Sequence, residues 1–173
     1  MKKVLSLVFF SVLAFGHTTT LESGSMMSGM LHPISGLDHI LAMIGVGMVA
    51  FFASKKGYLA LVAFMGAMVL AAIAGNMGIA FFSVEEGILI SIAAVFGLIG
   101  FAPRLSINTI ITVVAFFGLF HGYAHGAEFT TGTFSLYILG FSISTLILHL
   151  SGIALAYLYV KATQKAQPEL ASN

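Results

Sequence analysis

An all-α, polytopic membrane helical bundle is the fold class this sequence predicts, with five transmembrane helices after a cleavable signal peptide. Three observations carry that expectation. The 173 residues are 59% hydrophobic and only 8% charged, with a mean hydropathy of +1.06, whereas a soluble domain is nearer a quarter charged. The apolar residues fall into stretches long enough to cross a bilayer, parted by short polar turns. The few charges alternate by sign from one turn to the next. Nineteen glycines suit close helix packing in lipid. The absence of cysteine excludes disulfides, thiolate metal sites and cysteine nucleophiles.

Residues 1–16 read as a signal peptide. Lys2 and Lys3 form its basic region, Val4 to Phe15 its apolar region, and Ala14-Phe15-Gly16 its small-residue cleavage site. Cleavage there makes His17 the mature N-terminus, with an α-amine and an imidazole on one residue as a candidate chelate; an ordinary mobile terminus is the alternative. Residues 17–165 form the bundle, and 166–173 a disordered cytoplasmic tail. The first span runs from Met26 to Ala53, interrupted by residues 31–39, where Pro33 suits a first helical turn or a kink and irregular backbone at His32-Pro33 or Gly36 would redirect the side chains. The second covers Tyr58 to Ile79 and carries Ala63, Ala67, Ala71 and Gly75 at a spacing of four, a seam for another helix. The third covers Gly87 to Ala102, the fourth Leu105 to Ala127 and the fifth Phe134 to Val160.

Lys55, Lys56, Arg104, Lys161 and Lys165 fall on one set of connections, and Glu85, Glu86 and Glu128 on the other. The positive-inside rule makes the lysine side cytoplasmic. The expected location is a bacterial inner membrane, with the mature N-terminus periplasmic and the C-terminus cytoplasmic. The expected partners are the lipid bilayer and a metal ion. A homo-oligomer is compatible with the composition, no metallochaperone is indicated, and a net charge of +1 argues against nucleic acid.

Ionisable groups are costly inside a bilayer, and two stretches concentrate them. Leu31-His32-Pro33-Ile34-Ser35-Gly36-Leu37-Asp38-His39 lies in the first span. Phe120-His121-Gly122-Tyr123-Ala124-His125-Gly126-Ala127-Glu128 closes the fourth. His121, His125 and Glu128 share a face at 3.6 residues per turn. His32 and His39, seven apart, also share one on a regular helix, and Asp38 points about 100° away. Imidazole and carboxylate suit nickel, cobalt and zinc, and imidazole also suits copper. One helix approaches an ion from one side only, so the first and fourth spans are expected to meet and form a single site. His17, Asn76, Glu85, Glu86 and His149 are weaker candidates. Glu85 and Glu86 also fit a solvated turn, and His149 a hydrogen bond to a neighbouring helix.

Other chemistries fit less well. His121 and His125 have zincin spacing, but Gly122 stands where the catalytic glutamate is required. No P-loop, dinucleotide fingerprint or nucleophile elbow is present, so enzyme activity and ATP-driven pumping by this chain are not expected. Haem ligation by His32, His121 and His149 is the redox alternative, and a sensing subunit that binds metal without conducting it is another.

The two stretches resemble the signature motifs of the HupE/UreJ family, small membrane proteins associated with hydrogenase and urease maturation and regarded as nickel permeases. The resemblance implies a permease that takes up a divalent metal, nickel first and cobalt or copper as alternatives. It also implies His32, Asp38, His39, His121, His125 and Glu128 as the metal-handling residues. The family often has a proline soon after the glutamate, where this chain has Phe129-Thr130-Thr131.

Overall fold

The computed structural model describes residues 25–53 and 55–170, all helices and short turns. The signal peptide and His17 lie outside the described residues. The helices are α1 (Met26–Ser35), α2 (Leu37–Ala53), α3 (Tyr58–Asn76), α4 (Val84–Phe101, continued by a 3-10 turn at Ala102–Arg104), α5 (Ile107–Glu128) and α6 (Phe134–Leu170). Among them, α3, α4 with its turn, α5 and α6 are each long and apolar enough to cross a membrane, and α1 with α2 makes a fifth if the bent pair is one span. The order of elements is the expected one. Where a disordered tail is expected from residue 166, the backbone stays helical through Leu170.

Local chemistry accounts for the helix ends. Ser25 caps α1 in a reciprocal box with Ser28, each side chain taking the other's backbone N–H at 3.0 Å. Ser106 caps α5 by accepting from the Thr109 N–H at 3.1 Å. Gly78, at φ +73, ends α3 in a left-handed turn that a side chain would strain. Large apolar side chains such as Ile90, Phe96, Leu155 and Tyr157 point outward, as a bundle solvated by lipid requires. The interior is filled by Met43, Val46, Phe64, Met68, Val95 and Phe141, among others.

The first apolar segment departs from a single helix. The backbone at Gly36 is extended (φ −106, ψ 125), and α1 and α2 meet at 86°. Pro33 itself sits inside α1. Gly36 begins α2 by accepting from the Ile40 N–H, and a Cβ there would come within 2.6 Å of Asp38 Oδ1. Glycine at the break therefore leaves room for the carboxylate beside it.

Glycine contacts join the helices in one recurring pattern. A Cβ on Gly75 would meet the Tyr123 carbonyl, and one on Gly126 would meet the Ala72 carbonyl, each struck carbonyl lying three residues before the partner glycine. Gly29 and Gly140 relate in the same way through the Tyr137 and Met26 carbonyls, and Gly47 and Gly152 through those of His149 and Ile44. Reciprocal contacts of this kind bring backbones to van der Waals distance, which drives helix association where lipid removes the hydrophobic gain. They bind α3 to α5, and both α1 and α2 to α6. Gly118 and Gly122 extend the α3–α5 seam onto the Phe64 and Met68 carbonyls. The expected seam at Ala63, Ala67, Ala71 and Gly75 is thus turned by about one residue. Gly75 and Ala67 take part, but the small face belongs mostly to α5.

Candidate metal centre

The Gly36 break decides the geometry of the first motif. Were the segment one helix, His32 and His39 would stack along a face two turns apart. Instead they stand on different helices, and the 86° bend brings their rings to 6.0 Å. His32 lies in the last turn of α1 and Asp38 in the first turn of α2. A helix C-terminus favours a cation, and a helix N-terminus favours the Asp38 carboxylate. The second motif occupies the last turns of α5, so a second helix C-terminus faces the same place.

The two motifs meet. The His32 ring is 4.5 Å from that of His125, and the His39 ring is 4.7 Å from His125 and 5.3 Å from His121. One nitrogen from each of His32, His39 and His125 lies within 4.8 Å of the others. Metal–nitrogen bonds of about 2.1 Å hold two ligands of one ion no more than about 4.2 Å apart. Side-chain shifts on the order of half an ångström would close the set. Glu128 Oε2 stands 3.5 Å from His32 Nε2, with both side chains about one-third exposed. His39, His121 and His125 are buried. The cluster is therefore a funnel, with a carboxylate and an imidazole at its mouth and three imidazoles inside.

Hydrogen bonds fix which nitrogens are open. His39 Nδ1 lies 3.0 Å from Asp38 Oδ2, so this nitrogen donates to the carboxylate and Nε2 keeps its lone pair. A carboxylate behind the far nitrogen orients a metal-ligating histidine and raises its basicity. His121 Nε2 lies 2.8 Å from Ser91 Oγ. Ser91 spends its one hydroxyl proton on the Ile88 carbonyl at 2.6 Å, so it accepts from the His121 Nε2–H and leaves Nδ1 open. His39 Nε2, His121 Nδ1 and both nitrogens of His125 are buried without a hydrogen-bond partner among the described residues. An unmatched buried polar group costs about 1–3 kcal/mol. Several such nitrogens on rings in mutual contact are consistent with an electrophile as their partner. Phe141 closes the wall, its ring 4.0 Å from that of His125, with Tyr137 stacked on Phe141 and 6.1 Å from His32.

The weaker candidates stand elsewhere. Asn76 is exposed at the end of α3, and Glu85 and Glu86 are exposed in the first turn of α4. His149 is buried, with Nδ1 2.7 Å from the Met43 carbonyl, which is the hydrogen bond to a neighbouring helix that the sequence allows. Spacing alone does not find Ser91, Tyr137 or Phe141. Ser91 is the sole hydroxyl in the apolar run of residues 87–102, and that isolation is its only signal. If the cluster holds a divalent metal ion, replacing Ser91 with alanine should weaken its affinity by about 10–100-fold, the usual cost of removing an orienting partner. Titration of the purified variant checks this, and unchanged affinity would show that Ser91 does not orient His121.

A sequence model of the family described as HupE / UreJ protein matches residues 5–172. Among curated proteins, Protein HupE of Rhizobium leguminosarum bv. viciae is 38% identical over 143 residues, which are 80% of this chain and 73% of the relative. No solved structure matches the chain.

Proposed function

Because the chain belongs to the HupE/UreJ family, we propose that it is a permease carrying a divalent transition metal ion, nickel, from periplasm to cytoplasm for metalloenzyme maturation. The observation that carries this reading is the set of open nitrogens on His39, His121 and His125, contributed by both motifs and buried at one end of the bundle. Nitrogen and carboxylate donors without thiolate favour borderline divalent ions; nickel is the first choice that the resemblance implies, with cobalt, copper and zinc as the alternatives that the test separates. Glu128 and His32 at the mouth capture the hydrated ion, and the inner histidines replace part of its water shell. A membrane potential of 100 mV then supplies about 4.6 kcal/mol for a doubly charged ion moving inward. The histidine rings touch one another edge to face rather than flanking a slot, which favours a bare ion over the haem alternative.

The test is uptake by proteoliposomes of the full chain, across nickel, cobalt, copper and zinc, with an imposed potential. Nickel should accumulate inside, faster with a negative interior. Binding without accumulation would make the protein a non-conducting metal-binding subunit. Orientation is tested in intact cells on the cysteine-free background. Ser83→Cys and Thr131→Cys should react with an impermeant thiol reagent from outside, and Ser54→Cys should not. Labelling at position 54 alone would invert the orientation and turn uptake into export.

A further inference from the structure

We propose that His149, with Thr145 and Met68, forms a second station for the transported ion, deeper in the bundle than the histidine cluster and divided from it by the Phe64 ring. The proposal rests on the transport reading above and adds to it a place where the ion rests on the way in. His149 is fully buried in α6. Its Nδ1–H donates to the Met43 carbonyl of α2, which leaves Nε2 as a bare lone pair, and that nitrogen has no hydrogen-bond partner among the described residues. One turn earlier on the same helix face, the buried Thr145 hydroxyl lies 3.9 Å from Met68 Sδ. Ser144, the preceding residue in the sequence, is a further buried hydroxyl without a hydrogen-bond partner among the described residues. The His149 imidazole and the Thr145–Met68 pair thus lie one turn apart along one helix face, in a mostly apolar interior.

Successive ring contacts connect the station to the cluster. The His121 ring is 5.3 Å from His39. The Phe64 ring is 5.8 Å from His121 on one side and 5.3 Å from His149 on the other. Phe141 touches the cluster through His125, and His149 follows it by eight residues, about 12 Å further along α6. The two ends differ in chemistry. The cluster has two carboxylates within reach, whereas His149, Thr145 and Met68 are neutral. A neutral set holds a cation weakly, and conduction requires an ion to leave as readily as it arrives. A borderline metal accepts both imidazole and thioether donors.

The experiment uses full-length protein and Ni2+, with affinity measured in detergent and uptake measured in proteoliposomes. His149→Asn keeps an N–H to donate to the Met43 carbonyl but removes the ring Nε2. Its uptake should fall about tenfold or more while its Ni2+ affinity stays within about twofold of wild type, because the cluster is intact. A purely structural histidine would tolerate asparagine, so wild-type uptake by this variant overturns the station. Affinity lost in step with uptake by a folded variant would place His149 in the cluster and also overturn it. Should His149→Asn fail to fold, Met68→Leu combined with Thr145→Val decides: uptake is lost if the station is real and kept if it is not. Wild-type protein that binds Ni2+ but moves none would sink the transport reading itself, a result distinct from the other outcomes.

Discussion

Replacing His39 or His125 with alanine should each abolish high-affinity nickel uptake, and the double replacement should cost little beyond either alone. His39 offers Nε2 from α2, aligned by Asp38 behind it. His125 offers its open nitrogens from α5. If both bind one ion, removing either leaves an incomplete shell, and affinity should fall by about 10–100-fold or more. Residues that act as a unit are not additive, so the second removal has little left to take. Both variants should remain in the membrane, since neither histidine makes a glycine contact between helices. Uptake rates and Ni2+ titrations on the two single variants and the double variant measure the coupling. Losses that multiply independently would mean two sites in series, and the shared cluster would have to be abandoned.

Gly122→Ala should damage the protein out of proportion to one methyl group. Its Cβ would fall on the Met68 carbonyl of α3, which is backbone and cannot rotate away. Overpacking of this kind costs about 1–3 kcal/mol, and here it acts between His121 and His125. Melting temperature in detergent and Ni2+ affinity should therefore drop together. Gly97→Ala is the internal control: nothing lies within 4 Å of a Cβ there. Alanine is favoured over glycine in a helix by about 0.5–1 kcal/mol, so that variant should melt no lower than wild type. Equal melting of Gly122→Ala and Gly97→Ala would show that α3 and α5 do not approach as closely as described.

The bundle was legible because lipid imposes a simple rule: long apolar runs must be helices, and turns between them must be polar. The two motifs were legible because ionisable residues are conspicuous in such runs. Their meeting followed from coordination chemistry, since one helix face cannot surround an ion. What could not be read was how the first motif folds. Glycine is tolerated within a helix, so Leu31 to His39 gives no sign that the break falls at Gly36 rather than Pro33, or that the chain turns by 86° there. His32 and His39 were paired by a heptad count, but a corner brings them together. Ser91 escaped because its partner His121 is 30 residues away, and no local period encodes that pairing. The small-residue seam on α3 is legible from its spacing of four, whereas its complement at Gly118, Gly122 and Gly126 lies on another helix and is paired with it only in the fold.

The reciprocal glycine contacts also sort five of the six helices into two units, with α4 in neither. Backbone against backbone, α3 is fastened to α5, and α1 and α2 are fastened to α6. The ligands do not respect that division. His121, His125 and Glu128 ride on the first unit, and His32, Asp38 and His39 on the second. An ion held by both sets would act as a clasp across a boundary that no reciprocal glycine pair closes among the described residues. Capture would pull the halves together and release would let them part, so the cargo itself would work the latch.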